Sequence, residues 1–247
     1  MSKRFGGIEA LSSLSLAVDE SEAVGVIGPN GAGKTTLFDC VFGLLRPDTG
    51  SITFDGVRID RAPTFRRARL GMGRTFQRLE LFTGMTPRQH VFVTQSTLAG
   101  RSHLWKDLAG AGSPTTEDRR QADEVLELVG LTDVADVPVE ALGLATGRLV
   151  ELARALAARP RLLLLDEPSS GLEGGETSAV VAILARVRSE RRTAIVLVEH
   201  DVDMVSEVAQ RLVVLDFGRL IADGPVDQVL ADAGVRRAYL GEGKADT

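Results

Sequence analysis

The sequence predicts an α/β fold in which the strands of a parallel sheet alternate with helices and a helical segment is inserted. The runs AVGVI, RLLLL, AIVLV and RLVVL are apolar throughout, as is typical of parallel strands that are covered on both faces. Apolar residues spaced three and four apart between these runs predict helices. From Pro87 to about Leu131 the helical pattern contains no strand-like run, which predicts the insert.

The first part of the chain predicts a strand layer beside the parallel sheet. LSSLSLAV and AVGVIG are expected to form strands, a helix is expected from Gly33 to about Leu44, and SITF ends at Asp55-Gly56, a hairpin turn signal. The insert is expected to contain the helices PRQHVFVTQSTLA and RRQADEVLELVGL, separated by the loop-like GRSHLWKDLAGAGSPTTED.

The rest of the chain predicts a return to alternating strands and helices. We expect the helix RLVELARALAA, the strand RLLLL, a helix from about Glu176 to Arg188, the strand AIVLV, a short helix after His200 and the strand RLVVLD. The tail VRRAYLGE is a candidate for a last helix.

Length and charge limit the classes of function. The 247 residues suffice for one large domain or for a core with an inserted subdomain. The formal net charge of −5 and the scattered arginines disfavour a nucleic-acid partner. No apolar run reaches the roughly 18 residues of a membrane span, so a membrane role would require a partner. The one cysteine, Cys40, lies on an apolar helical stripe and is expected to be a buried thiol in a reducing compartment.

The strongest motif is GPNGAGKTT, which lies between a predicted strand and a predicted helix. It matches the phosphate-loop pattern G-x-x-x-x-G-K-[ST] better than a glycine-rich turn with a chance lysine. Backbone N–H groups and the helix N-terminus would face one anion, Lys34 would reach the terminal phosphates, and Thr35 would offer a hydroxyl to Mg²⁺. The residues expected to bind the nucleotide are Gly28, Pro29, Asn30, Gly31, Ala32, Gly33, Lys34, Thr35 and Thr36.

Two adjacent acids, Asp166 and Glu167, follow the apolar strand RLLLL. Ligands of such folds bind at the carboxyl ends of the parallel strands. Asp166 is therefore expected to hold Mg²⁺ through water, and Glu167 to orient or deprotonate the water that attacks the γ-phosphate of ATP. The alternative is a solvated helix cap, since acids followed by proline are common at strand ends.

Two more polar residues follow strand-like runs. His200 in VEHD is a candidate γ-phosphate sensor, whereas a histidine taken alone in this place is more often an ordinary polar strand end. Gln77 in GRTFQRLELF is a candidate contact to water or Mg²⁺ that links the nucleotide to the insert, with a surface loop residue as the alternative.

Two other patterns are set aside. DFG at 216–218 is similar to a kinase metal motif, but the other kinase elements are missing and the stretch predicts strand, turn and strand. His90, His103 and Trp105 in the insert lack metal-ligand spacing and are interpreted as structural or exposed.

The ordered set GPNGAGKTT, Gln77, LLLLDEPSSGL and VEHD resembles the ATP-binding subunit of an ABC transporter. KRFGG, GPNGAGKTTLF, GRTFQRLELF and RRAYLGE are similar to the ATPase subunits of bacterial branched-chain amino-acid importers, a group that also includes urea and short-chain amide systems. The resemblance covers nearly the whole chain. It implies an α/β P-loop NTPase core of ABC type with an antiparallel β subdomain (residues 1–80 and 156–247) and an inserted helical subdomain (81–155), together one ABC domain.

The resemblance also implies function at a dimer interface. Two ATP-binding chains would clamp two ATP molecules, with each phosphate loop facing the signature motif of the opposite chain. Closure would pass through the Gln77 region to membrane permease subunits, which an external solute-binding protein supplies. The chain would be cytoplasmic and peripheral on the inner face of the cell membrane. Leu79, Leu81 and Phe82 are candidates for the permease-facing cleft, with core packing of the insert as the alternative.

Three parts of the sequence differ from the pattern of this family: the N-terminal start, the dimer-contact loop and the signature. Phe5 matches the aromatic residue that stacks on adenine, but the family usually has another strand before MSKRFGG, so either the start is set late or the strand layer is shortened. Glu173 replaces the usual aspartate of the dimer-contact loop. In LGLATGR, Gly143 stands for the signature serine, Ala145 for its glycine and Thr146 for its glutamine.

The signature could also be aligned on LATG, but this would rotate the following helix by about 200° and turn its leucines away from the core. In the family the signature donates hydrogen bonds to the γ-phosphate of the partner's ATP. Loss of one donor to developing charge typically costs about 2.7 to 4 kcal/mol. The site that this chain completes is therefore expected to be slow.

The sequence thus predicts an ATP-binding and hydrolysing subunit of an importer for branched-chain amino acids or a related small polar solute. A heterodimer, in which a partner supplies an intact signature, is the first hypothesis, and a homodimer stays open. An ATP-binding switch with little turnover is the second, and Glu167 and His200 disfavour it. A non-transport ABC ATPase of nucleic acid or ribosomes is the third, and the acidic charge disfavours it.

Overall fold

The computed structural model describes residues 1–98 and 115–236. The chain divides into two compact units. The first comprises Met1–Arg67 and Ala194–Thr247, and the second comprises Ala68–Thr193.

Strands and helices alternate along the described residues. The strands are β1 (Lys3–Phe5), β2 (Ile8–Leu11), β3 (Ala23–Ile27), β4 (Thr53–Phe54), β5 (Val57–Arg58), β6 (Met72–Arg74), β7 (Leu162–Asp166), β8 (Ala194–Val198), β9 (Arg211–Asp216) and β10 (Arg219–Pro225). The helices are α1 (Lys34–Phe42), α2 (Thr64–Arg69), α3 (Pro87–Leu98), α4 (Thr116–Leu128), α5 (Leu144–Ala157), α6 (Gly174–Arg191), α7 (Val202–Val208), α8 (Val226–Ala231) and α9 (Ala233–Val235). Short 3₁₀ turns span Thr132–Val134 and Val139–Ala141.

In the first unit, four strands form a mostly parallel sheet in the order β10, β9, β3, β8. β3 runs parallel to both β8 and β9, and β10 pairs antiparallel with β9. Every residue of β3 and β8 is buried, which confirms the prediction made from their continuous apolar runs. β4 and β5 form the predicted hairpin, in which Asp55 and Gly56 both have positive φ.

The strand predicted for LSSLSLAV is wrong beyond Leu11, where β2 ends. Ser13 lies in the left-handed region at φ 50° and breaks the extended backbone. The neighbouring N–H groups bond outside any ladder, from Ser12 to the Gly218 carbonyl (2.8 Å) and from Leu14 to the Met1 carbonyl (2.9 Å). Serine side chains offer the backbone such alternatives to a sheet: the Ser2 hydroxyl accepts from the N–H of Ser13 at 2.9 Å.

A buried arginine, Arg67, caps the C-terminal end of the helix α1. Gly43 caps the helix at φ 91°, and the guanidinium of Arg67 donates to the carbonyls of Cys40 (2.6 Å), Val41 (2.7 Å) and Ala62 (2.9 Å). The bonds to Cys40 and Val41 satisfy carbonyls that the end of α1 leaves without intrahelical partners. Cys40 is buried as predicted, and burial raises the pKa of its thiol.

In the second unit, β6 runs parallel to β7, and the helices α3, α4 and α5 contact one another. The sequence predicted a loop through TTED, which is wrong: α4 begins at Thr116, and Thr115 and Asp118 form a reciprocal capping box. The helix predicted as RLVELARALAA begins earlier, at Leu144. The helix predicted near Glu176 is confirmed as α6, and the short helix after His200 is confirmed as α7.

Some predictions fall on residues outside the described ranges. These include His103, Trp105, most of the predicted loop before Thr115, and the tail from residue 237. Within the described ranges, no helix has both the length and the apolarity needed to cross a membrane.

Candidate functional site

The phosphate-loop motif of the first unit lies between β3 and α1, as its pattern predicts. Gly28, Gly31 and Gly33 all have positive φ, at 153°, 81° and 101°. A Cβ at Gly28 would lie 2.2 Å from the carbonyl oxygen of Leu215 in β9, and one at Gly33 would lie 2.4 Å from that of Ala10. At Gly31 a Cβ would meet nothing within 4 Å. Two of the glycines therefore permit close backbone approach, whereas Gly31 serves the backbone conformation alone.

The side chain of Lys34 folds back against the backbone of this loop. Its ammonium donates to the carbonyls of Gly28 (2.6 Å) and Pro29 (3.0 Å), and the residue is buried. Thr35, in contrast, is exposed and half-buried Thr36 follows it in the first turn of α1. The loop thus places a cation and two hydroxyls at a helix N-terminus, an arrangement that favours an anion.

The DFG stretch supports the loop rather than forming a metal site of its own. Gly218 has φ 75° and its N–H donates to the carbonyl of Ala32 at 2.9 Å. A Cβ at Gly218 would lie 2.6 Å from the Ala10 carbonyl. The turn between β9 and β10 therefore braces the phosphate loop, and the prediction of strand, turn and strand is confirmed.

The remaining predicted residues of the first unit are accessible. Phe5 lies in β1 with 46% of its surface exposed, and the Lys3 ammonium is 5.5 Å from its ring centroid. His200 is exposed just after β8, and its N–H donates to the carboxylate of Glu199 at 3.2 Å. Asp201 then caps α7 by accepting from the N–H groups of Asp203 and Met204.

In the second unit, Asp166 ends β7 and pairs with an arginine that sequence reasoning missed. Arg74 at the end of β6 donates to Asp166 Oδ2 at 3.1 Å, and the two side chains are 2% and 6% exposed. The N–H of Asp166 donates to the Thr75 hydroxyl at 3.3 Å. A buried carboxylate needs such partners, since an uncompensated charge would be strongly destabilising. The pair fixes the direction of the Asp166 carboxylate.

Glu167, the next residue, is directly bonded to Gln77. The side-chain amide of Gln77 donates from Nε2 to Glu167 Oε2 at 2.9 Å; Gln77 is exposed and Glu167 is half-buried. Glu167 has φ 49°, a conformation that is uncommon for a residue with a side chain and that occurs at functional sites. The structure therefore brings together two of the residues predicted to act on water.

The signature stretch forms the start of α5. Gly143 is the N-cap with φ −71° and ψ 169°, and Ala145, Thr146 and Gly147 lie in the first turn. Gly147 is buried, where a Cβ would come within 2.9 Å of Leu79. Leu152 and Leu156 are buried as the preferred alignment predicts, whereas Leu149 is only half-buried.

The region after Gln77 is not packed into a core. Leu79 and Phe82 are exposed and Leu81 is half-buried, which favours the surface interpretation over core packing. His90, which the sequence analysis set aside, is buried: its Nε2 accepts from the N–H of Phe82 at 2.9 Å. Burial lowers the pKa of this histidine, and because its Nε2 accepts a backbone hydrogen bond its role is structural.

The donor set suits a magnesium ion. Thr35, Asp166 and Gln77 offer a hydroxyl, a carboxylate and an amide oxygen, which are the hard oxygen ligands that Mg²⁺ prefers. Magnesium is usually held by one or two carboxylates together with substrate phosphates rather than by a cage of protein ligands. The buried carboxylate of Asp166 in the second unit, and the hydroxyl of Thr35 next to Lys34 in the first, are donors that fit this chemistry.

A glycine-rich loop between a parallel strand and a helix, with an acid pair after another such strand, defines a P-loop nucleotide-binding protein. The family model for ABC transporters matches residues 11–170, and the model for the branched-chain amino acid ATP-binding cassette transporter matches residues 219–245. The chain belongs to the ABC transporter family.

Curated relatives match over almost the whole chain. The high-affinity branched-chain amino acid transport ATP-binding protein BraF of Pseudomonas aeruginosa is 37% identical over 98% of this chain and 96% of its own length. The corresponding protein LivG of Salmonella typhimurium is 36% identical over 97% of this chain and 94% of its own. The resemblance stated from the motifs is thereby confirmed.

The fold agrees with that of a solved relative. MJ1267, an ATP-binding cassette of an ABC transporter in its ADP conformation, matches with a TM-score of 0.85 at 26% identity, over 97% of this chain and 96% of its own. The predicted ABC-type P-loop fold is confirmed, and so is the class of ATP-hydrolysing transporter subunit.

Proposed function

We propose that this chain powers an importer of branched-chain amino acids, or of a related small polar solute, by hydrolysing ATP. The observation that carries hydrolysis, rather than binding alone, is the hydrogen bond from Gln77 Nε2 to Glu167 Oε2. It orients a carboxylate next to a second carboxylate, Asp166, which has its own buried partner. The names of BraF and LivG and the family match at residues 219–245 support the substrate class.

Each part of the site has a proposed role. Residues 28–36 bind the phosphates, with Lys34 as the cation, and Phe5 stacks on adenine. Glu167 orients and deprotonates the attacking water, His200 contacts the γ-phosphate, and bound Mg²⁺, held through Thr35, Asp166 and Gln77, would neutralise charge on the phosphate oxygens. A switch with little turnover needs neither Glu167 nor His200, so the hydrolytic role is favoured.

The proposed assembly contains further chains. A second ATP-binding subunit would complete each nucleotide site with its signature residues, and this chain would offer Gly143, Ala145 and Thr146 in return. Residues 81–155 would form the helical subdomain that meets the membrane permease, which an external solute-binding protein supplies. The chain would act in the cytoplasm at the inner face of the cell membrane.

Mg-ATP turnover by the purified chain, titrated over protein concentration, tests this proposal. A self-sufficient dimeric ATPase would give turnover that rises faster than linearly with concentration and disappears in Glu167→Gln. Binding of ATP with hardly any turnover would mean that a different chain must supply an intact signature. Retention of the chain on RNA or DNA at physiological salt would contradict the transport role.

The degenerate signature gives a separate prediction. Gly143 has extended backbone angles, and a Cβ there would meet nothing within 4 Å, so serine fits. In Gly143→Ser the hydroxyl would cap α5 and also restore a donor to the nucleotide of the second chain. We expect turnover of the assembled transporter to rise by up to about 10²-fold if the site completed by this chain limits the rate.

Gly224→Ser is the matched control for that substitution. It places a serine in β10, where its Cβ would make an ordinary contact of 3.6 Å with Val229. Turnover should be unchanged in this variant. If Gly143→Ser raises the unfolding temperature but leaves turnover unchanged, the serine acts as a helix cap alone and the proposed slow site is contradicted.

A further inference from the structure

The helix α5, which follows the signature stretch, holds the backbone of the segment that carries Gln77. Arg148 donates from Nη1 to the Phe76 carbonyl at 3.3 Å and from Nη2 to the Gln77 carbonyl at 2.9 Å. Its side chain is 10% exposed and pairs with Glu151 at 3.2 Å. A planar guanidinium that bonds two successive carbonyls fixes their orientation as well as their distance.

Two more side chains of α5 extend this attachment along the segment. Glu151, which is buried, accepts the N–H of Glu80 at 3.2 Å. Burial raises the pKa of Glu151, although Glu80 and Arg148 act in the opposite direction. Arg154 donates to the Glu80 carbonyl and lies 5.2 Å from the ring centroid of Phe82. Because these residues recur every third position, one side of α5 holds residues 76–82.

Gln77 is therefore held at two points. Its carbonyl oxygen accepts from Arg148 of α5, and its side-chain amide donates to the carboxylate of Glu167. A single residue thus separates the guanidinium of Arg148 from the proposed catalytic carboxylate. Within the second unit this is a continuous hydrogen-bonded path from the signature helix to Glu167.

We propose that Arg148 is a positioning residue that couples the orientation of Glu167 to the position of α5 in the same chain. When α5 shifts or rotates, the two hydrogen bonds from Arg148 move the backbone of Gln77. The side-chain amide of Gln77 then releases or reorients the carboxylate of Glu167. The proposal rests on the proposed function for the role of Glu167. Contact of the signature with the second chain's nucleotide would thus alter the orientation of Glu167 and the rate of hydrolysis at this chain's own site. The effect on binding would be reciprocal: ATP at either site would change the affinity of the other site by the same factor.

A purely structural role for Arg148 predicts something different. The Arg148–Glu151 pair is buried, so removal of the charge would destabilise the fold whatever the path to Glu167. Arg148→Lys keeps the charge and can still pair with Glu151, but an ammonium on a flexible stem does not hold two carbonyls in one plane. This substitution therefore separates the geometry of the fork from the burial of the charge.

The first measurement is steady-state ATP turnover of the full-length chain in the assembly that hydrolyses ATP. We expect Arg148→Lys to lower kcat by about tenfold with KM changed by less than about twofold, as displacement of a catalytic group predicts. In the Gln77→Ala background the same substitution should lower kcat by less than about twofold, because the path is already cut. An equal loss in both backgrounds would overturn the coupling.

Arg186→Lys provides the matched control. Arg186 lies on the exposed surface of α6 and pairs with Glu190 at 3.1 Å, outside the path. The control should leave kcat and KM unchanged. A loss of kcat in this variant as large as that in Arg148→Lys would mean that any arginine replacement slows the chain, and the assignment to Arg148 would fail.

Amide hydrogen exchange of the purified chain without nucleotide gives a readout that needs no turnover. Arg148→Lys should accelerate exchange severalfold in residues 76–82 and also in residues 167–172, where the N–H of Ser170 bonds to the Glu167 carbonyl. Acceleration of the first segment alone would overturn the path, even in a chain that hydrolyses ATP. If Glu167→Gln instead leaves turnover intact, the catalytic role proposed for Glu167 fails, and the exchange result still decides whether α5 and the Glu167 turn are coupled.

Discussion

Replacement of Glu167 by glutamine is expected to lower ATP turnover by about 10²- to 10⁴-fold, the usual contribution of a positioned general base. Glutamine has nearly the same shape as glutamate, and its side-chain oxygen can accept from Gln77 Nε2 as the carboxylate does at 2.9 Å. The geometry of the path from Gln77 should therefore persist, while the ability to take a proton from water is lost. ATP affinity should change by less than about twofold, because only the transition state uses that proton transfer.

Turnover and equilibrium ATP binding of the two forms, measured side by side, check this expectation. Glu190→Gln is the control, since Glu190 is exposed on α6 and pairs with Arg186 at 3.1 Å. Its turnover should equal that of the unsubstituted chain. If Glu167→Gln retains more than about a tenth of the turnover, another group takes the proton, and Glu167 is left with an orienting role.

The parallel sheet was predictable because its strands are buried on both faces. Such strands must be apolar at every position, so β3 and β8 can be found from composition alone. The strand prediction for LSSLSLAV was wrong beyond Leu11 because its alternation of leucine and serine has the period of a half-buried strand. Its actual partners, Met1 and the turn at Gly218, are set by tertiary contacts that no local pattern contains.

The start of α4 was also predicted wrongly, although here the signals lie close together in the sequence. Thr115 followed by Asp118 is a capping pair, which predicts a helix start, yet the preceding Ser-Pro break favoured reading the stretch as a loop. The capping pair therefore marks this helix start better than the Ser-Pro break marks a loop.

The site could be predicted where its functional residues are adjacent in the sequence. The phosphate loop and the Asp166-Glu167 pair each stand beside the strand that positions them. Arg74 was missed because its partner Asp166 is 92 positions away, and the Gln77–Glu167 contact spans 90. The only sequence signal for Arg74 was an arginine at the end of a buried strand, where a charge requires a partner. Arg148 gave no comparable signal because it looks like an ordinary polar position of a helix.

Gly28→Ala is expected to weaken ATP binding by about 10²-fold or more, equivalent to about 2.7 kcal/mol. The added Cβ would lie 2.2 Å from the Leu215 carbonyl oxygen and 3.1 Å from the Ala32 side chain, and the first of these is backbone of a sheet strand. Either the phosphate loop moves away from β9 or the pairing of β9 with β3 opens. Both responses displace the carbonyls that now hold Lys34 and the N–H groups that would face the phosphates.

Gly31→Ala separates this steric effect from backbone strain. Gly31 has φ 81°, but a Cβ there would meet nothing within 4 Å, so alanine would cost only the left-handed conformation, about 1 to 2 kcal/mol. Calorimetric titration with Mg-ATP in a Glu167→Gln background, which prevents turnover, should show a much smaller loss of affinity for Gly31→Ala than for Gly28→Ala. If the two losses are equal, strain in the loop rather than its approach to β9 sets the phosphate geometry. Both positions have positive φ, so the main difference between the two substitutions is what each added Cβ meets.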